Sequence, residues 1–278
     1  MMKNQEKARS VIASFTVLML TLVTVLLIGL LTITPFFLSQ SALTEAMGKS
    51  TFGSSVYDEW LAKSKDIATQ YGVDEGVVED LVSKAKMEED IRLTLHESSL
   101  GGDPFIDTLS LSQELRERLI AFMESQELTL TSEVQTGIDE LVELITDDYI
   151  RSATIPYYDL FLSARNRIAI PSRNLSIILL LLIVSLAYFL ARLLPHRQWY
   201  RSMTTVVLSA GWIYFLIPGY LYVEGFYDRI QIRPYSIQRL SAVLLENGLV
   251  KMIGVGLVSV LVGSILMYLA SSKKETVG

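Results

Sequence analysis

Long uncharged apolar runs alternate with amphipathic stretches along this chain, and the two patterns predict different kinds of helix. Residues 11–38 contain no ionisable side chain. Residues 174–191 are dominated by Leu, Ile, Val and Ala, and Leu193 and Leu194 follow Arg192. Residues 203–223 and 252–270 hold only small polar groups among aliphatic and aromatic ones. The hydrocarbon core of a bilayer is roughly 30 Å thick, so a helix needs about 20 apolar residues to cross it. The four runs meet that length. They predict transmembrane helices over residues 11–38, 174–194, 203–223 and 250–270. A buried helix of a large soluble enzyme explains one such run, but not four in a chain of 278 residues.

Between the first and second runs the pattern has a helical period. Val77, Leu81 and Ala85 recur four apart, as do Met87, Ile91 and Leu95. Leu111, Leu115, Leu119 and Met123 repeat the pattern, and Val134, Ile138, Val142, Ile145 and Tyr149 make a longer stripe. Each is the apolar face of an amphipathic helix. Ser110 with Gln113, and Ser132 with Gln135, have the spacing of a capping box, in which each side chain satisfies a free backbone N–H. Gly101-Gly102-Asp103-Pro104 reads as a turn. Pro156 can open a further helix through Tyr158, Phe161 and Ile168, and Pro171 can open the second apolar helix. Residues 41–172 therefore read as a domain of four or five short helices, without a strand. The expected fold class is an all-α integral membrane protein: four transmembrane helices plus an inserted small helical-bundle domain.

Charge sets the expected topology. Lys3, Lys7 and Arg9 precede the first run, whose length exceeds a cleaved signal's apolar core of about 7–15 residues, so an uncleaved signal anchor is expected. Pro35 marks its outer end. Basic residues stay cytoplasmic and the first helix usually dominates, which puts the tail of residues 1–10 inside. Four crossings return residues 271–278, with Lys273 and Lys274, to the same side. The connection of residues 195–202 is then also inside, near Arg192, Arg197 and Arg201. Arg165, Arg167 and Arg173, and Arg229, Arg233 and Arg239, oppose this assignment, so the first helix decides it. The expected location is the plasma membrane, with both termini cytoplasmic. Residues 224–248 become an external loop. There Ile230, Ile232, Tyr235, Ile237, Leu240 and Leu244 alternate with arginines, which suits either a segment lying in the membrane interface or an ordered loop packed on the bundle.

Composition narrows the chemistry. Residues 41–173 hold 25 acidic and 12 basic residues, a balance of −13, and the remainder sums to +7 to give the net −6. Nucleic-acid affinity comes from Lys and Arg on phosphates, so no nucleic-acid partner is expected. Cysteine is absent, which excludes disulfides, thiolate zinc sites and thiol nucleophiles. His96 follows Glu88, Glu89 and Asp90, but six to eight residues is not the i, i+4 spacing of a helical metal pair. Asp147 and Asp148 diverge by about 100° on a helix. Glu140, Glu143 and Asp147 share a face, as a solvated surface does. Neither a G-x-S-x-G elbow nor a phosphate-binding loop occurs, and Gly254 and Gly256 lie in an apolar helix. No cofactor, metal or catalytic residue is expected. The apolar interiors lack the ionisable groups that mark proton and ion paths, and four helices without an inverted repeat are few for a lone carrier.

The fourth apolar run carries small residues at Gly256, Ser259, Gly263 and Ala270, which permit close helix packing where lipid gives no hydrophobic drive. Packing within the chain is favoured over a homo-oligomer seam. In the third run Pro218 can kink the helix, and Tyr220 and Tyr222 fit an interfacial belt. A signal-anchor helix, an acidic helical domain with a stretch such as residues 134–149, and three closing helices together resemble a group of uncharacterised four-pass membrane proteins of Gram-positive bacteria. The resemblance is one of layout across most of the chain. It implies plasma-membrane residence and assigns no functional residue. The expectation is a non-enzymatic protein that binds, senses or scaffolds through its outer domain, with the bilayer and an envelope protein as partners. The alternative is a component of an oligomeric channel or transporter.

Overall fold

The computed structural model describes residues 2–99, 102, 106–155 and 158–272. Among them no strand occurs, and nine α-helices follow one another: α1 (Met2–Phe37), α2 (Gln40–Ser50), α3 (Phe52–Gln70), α4 (Lys84–Ser99), α5 (Leu109–Ser125), α6 (Ser132–Ala153), α7 (Tyr158–Leu193), α8 (His196–Val223) and α9 (Tyr235–Ser272). Four stretches are long and apolar enough to cross a membrane: Lys7–Phe37, Leu160–Leu193, His196–Val223 and Tyr235–Leu269. The chain divides into two compact units. One comprises Met1–Ala46, Asp159–Ile230 and Ser241–Gly278; the other comprises Met47–Tyr158 and Gln231–Leu240.

In the first unit, small residues let helices approach until their backbones touch. A Cβ placed on Gly256 of α9 would stand 2.4 Å from the Phe215 nitrogen and 2.6 Å from the Tyr214 carbonyl carbon of α8. A Cβ on Gly211 would meet the Val260 nitrogen at 2.8 Å and the Ser259 Cβ at 3.0 Å. Gly263 makes room for the Leu208 side chain, whose Cγ would stand 2.7 Å from an added Cβ. Such proximity collects dispersion energy where lipid offers no hydrophobic drive. α8 also packs on α1. Tyr214 crosses to α1, where its hydroxyl donates to the Val25 carbonyl at 3.1 Å and fills the space above Gly29. The Phe37 ring lies on Gly248, and Lys251 pairs with Glu45 at 2.6 Å. Thr16, Thr21, Thr24 and Thr32 return their hydroxyls to carbonyls one turn earlier, so these four are satisfied within the apolar helix.

In the second unit α3 packs on α4 and α6, and α6 also receives α5. Met87, Ile91 and Leu95, then Leu111, Leu115 and Leu119, then Ile138, Val142, Ile145 and Tyr149 are buried. Each fully buried large apolar side chain contributes about 1.5–3 kcal/mol. Trp60 and Phe52 of α3 complete the core.

Several local expectations are corrected. Val77, Leu81 and Ala85 are not one helix face: Glu75–Val77 is a 3-10 turn, Asp80 has a positive φ of 56°, and α4 starts only at Lys84. The segment instead buries Val78, Leu81 and Val82. Neither capping box forms at its expected serine. α5 starts at Leu109, whose N–H is taken by the Asp107 carboxylate at 3.0 Å. α6 is capped by Thr131, one residue earlier than Ser132, because its extended backbone lets the hydroxyl reach the Val134 N–H at 3.3 Å. α1 ends two residues beyond Pro35. Pro171 does not open a helix but lies inside α7, which runs unbroken from Tyr158. One interior proline costs about 3 kcal/mol, less than helix-forming flanks of a dozen and more residues supply. By contact, the first segment of the second unit runs Met47–Tyr158, and Asp159 onward along α7 belongs to the first unit. Residues 224–248 are mostly not a loop: α9 begins at Tyr235, because Ile237 and Leu240 sit three apart on a buried helical face. The turn at Gly101, Asp103 and Pro104, the start at Pro156, and Lys273 and Lys274 lie outside the described residues.

Gly256→Leu forces α8 and α9 apart and destabilises the first unit by about 1–3 kcal/mol. Gly254→Leu, where no atom lies within 4 Å of an added Cβ, leaves it unchanged. Thermal unfolding in mild detergent compares the two.

Candidate functional site

Helical spacing brings polar side chains to one place in the second unit. Val56, Glu59, Trp60 and Lys63 lie three, four and seven residues apart on α3, so they share a face. Asp148, Arg151 and Ser152 do the same on α6. With Pro234 and Ser236, these residues line a cavity of about 450 Å3.

Two buried carboxylates anchor this region. Asp148 pairs through Oδ1 with the Lys63 ammonium, whose side chain is 60% exposed. Its other oxygen, Oδ2, is buried without a hydrogen-bond partner. Asp90 on α4 accepts from the Tyr149 hydroxyl at 2.5 Å and from Lys86 at 2.7 Å. Removing a carboxylate from water is costly unless a cation and hydrogen bonds compensate, so each recruits a lysine whose head reaches solvent. Burial, and then the hydrogen bond and negative charge of Asp90, push the Tyr149 hydroxyl far above its ordinary pKa. Trp60 stands edge-on to Tyr149, with ring centroids 5.4 Å apart, and its indole N–H is buried without an acceptor.

Glu59 forms the third polar feature. Its two oxygens accept from the backbone N–H and the hydroxyl of Ser236, at 2.8 and 2.7 Å. A carboxylate there satisfies a free N–H in the first turn of α9 and complements the positive end of the helix dipole.

The residues singled out from sequence are distributed unevenly. Of the adjacent pair, Asp148 is buried on the cavity wall while Asp147 is exposed beside Glu140 and Glu143 on the outer face of α6. His96, Glu88 and Glu89 are exposed, and Asp90 turns inward to Tyr149. Among the described residues no group of three or more His, Asp or Glu side chains is placed to hold a metal ion. Gly256, Ser259 and Gly263 lie on α9 in the first unit, against α8; the side chain of Ala270 is outside the described residues. Sequence reasoning missed Glu59, Trp60, Lys63 and Arg151. One signal was present: Asp90 and Asp148 each adjoin a stripe residue, Ile91 and Tyr149, and a carboxylate on an apolar face demands a buried partner. Compared with family models, with curated proteins and with solved structures, the chain matches none.

Tyr149→Phe strips Asp90 Oδ2 of its buried donor and destabilises the second unit by about 1–3 kcal/mol. Because the folded state holds the Tyr149 proton above the ordinary tyrosine pKa of about 10, its contribution is fully present below that pH and is lost as pH rises above it. Denaturant unfolding followed by tryptophan fluorescence should show a steeper loss of stability above about pH 10 in the wild type than in Tyr149→Phe.

Proposed function

We propose that this chain is a non-enzymatic, four-pass plasma-membrane protein whose outer helical unit binds a small polar solute in the cavity beside Trp60 and Asp148. Four helices of membrane-crossing length support residence in the bilayer. The observation that carries the binding site is Asp148: a buried carboxylate on the cavity wall with one oxygen unpartnered. Protein interiors rarely leave such an acceptor open, because each unsatisfied buried group costs about 1–3 kcal/mol. The Trp60 indole N–H is the matching unsatisfied donor.

The cavity is of a size that holds small ligands. Val56, Trp60 and Pro234 give it an apolar side. Lys63 is mostly exposed and can swing from Asp148, and Arg151 stands exposed at the rim. A solute that offers a donor to Asp148, an acceptor to the indole, and a carboxylate to Arg151 satisfies all three. A free amino acid or the end of a short peptide has that chemistry. Glu59, on the same wall, holds Ser236 in the first turn of α9, so occupancy bears on the start of that helix. The oligomeric-pore alternative draws on the small-residue stripe of α9, yet Gly256 and Gly263 are taken up by α8 of the same chain.

Full-length protein with Trp199→Phe and Trp212→Phe keeps Trp60 as its lone tryptophan. Titration with the L-amino acids and with dipeptides in detergent should change its fluorescence saturably for at least one of them. Asp148→Asn and Arg151→Gln should each weaken that response about tenfold, the worth of one charge-assisted hydrogen bond. Absence of a saturable response to every probe at millimolar concentration contradicts the assignment.

A further inference from the structure

A second cavity, of about 670 Å3, lies in the first unit, where the beginning of α1, the end of α7 and the start of α8 meet. Its wall has two characters. Val17, Leu193 and Leu194 are apolar, whereas Arg9, Arg201 and Gln198 supply positive charge and donors. Among the described residues no carboxylate lines it. Both arginines are exposed, and neither has an ion-pair partner among the described residues.

Two guanidinium groups that share one cavity without an anion repel each other, so an anion between them is stabilising. The planar, multiply donating guanidinium matches the oxygens of a phosphate better than a lysine does. Ser10 and Ser14, one helical turn apart on the same wall, add hydroxyl donors. Val17 and Leu193 belong to helices long and apolar enough to cross a membrane, and Leu194 follows directly on the second. An anion that fits both characters carries hydrocarbon beside its charge.

We propose that this cavity binds the phosphate of an anionic phospholipid, with Arg9 and Arg201 on the phosphate oxygens and Val17, Leu193 and Leu194 beside the first carbons of an acyl chain. Basic pockets between membrane helices on the cytoplasmic side take anionic headgroups by this chemistry. Soluble phosphate shares the charge but leaves the apolar wall unused. The inference rests on the proposed membrane residence and not on the solute cavity of the other unit; sedimentation of the wild-type chain with membranes tests residence separately.

The test uses the full chain in maltoside detergent and follows its thermal unfolding as dioleoylphosphatidylglycerol, dioleoylphosphatidylcholine or inorganic phosphate is added. Phosphatidylglycerol should raise Tm saturably and phosphatidylcholine should not. Arg9→Gln with Arg201→Gln should weaken the apparent affinity for phosphatidylglycerol roughly tenfold or more, with the lipid-free Tm unchanged. Arg165→Gln with Arg167→Gln, an equal charge change elsewhere, should keep the response. If the double variant does not fold, Arg9→Gln alone should show about half the effect on a logarithmic scale. Equal shifts with both lipids, or an undiminished shift in the Arg9 and Arg201 variant, overturn the site. Inorganic phosphate reproducing the whole shift overturns the lipid assignment and leaves a soluble-anion site.

Discussion

Inside hydrocarbon no water is available to satisfy backbone N–H and C=O groups, and each one left open costs several kcal/mol. In the proposed membrane setting that constraint requires each of the four long apolar stretches to be a helix and denies those helices a hydrophobic force to pull them together. Packing must then come from contact distance. Gly211 and Gly256 let α8 and α9 meet backbone to backbone, Gly263 makes room for the Leu208 side chain, and Tyr214 spends its polar tip on a carbonyl of α1. Four threonines of α1, Thr16, Thr21, Thr24 and Thr32, obey the same constraint by bonding within their own helix, whereas the Thr34 hydroxyl is buried without a partner. Charge is confined accordingly: Lys251, in the N-terminal half of α9, has Glu45 as its partner.

The second unit answers to a different rule, because its helices carry one apolar stripe each rather than being apolar all round. Its helices are held by apolar stripes, and the polar groups inside are few and matched. Asp90 is fully supplied by Tyr149 and Lys86, which makes it a structural group. Asp148 is supplied only on one oxygen, beside an indole N–H that also lacks a partner, on the wall of a cavity. The contrast between these two buried carboxylates, one satisfied and one half-satisfied, is the physical basis for reading the cavity as a binding site.

Local signals were legible in the sequence and long-range ones were not. The apolar runs and the stripes through Ile91, Leu115 and Val142 are periodic over a few turns, and periodicity survives without knowledge of partners. Breaks were harder to place. Pro171 signals a helix start in isolation, but the helix on its N-terminal side was long enough to absorb it. The arginines around Ile237 and Leu240 masked a helical face that is buried on only one side. Asp90 and Tyr149 are 59 residues apart, Lys63 and Asp148 are 85, and Glu59 and Ser236 are 177. No spacing rule links such pairs, so the cavity appears only once three helices are assembled around it.

In the proposed topology the acidic helical unit lies outside the membrane and both chain termini lie inside. Single cysteines at Ser99 and at Ser272, in this cysteine-free chain, report both positions when intact cells are treated with a membrane-impermeant thiol reagent. Labelling at Ser99 but not at Ser272 is the predicted result, and it puts the Trp60 cavity where an external solute can reach it. Labelling at Ser272 but not at Ser99 contradicts the account: the cavity would then face the cytoplasm, and the arginine pocket would face the opposite leaflet.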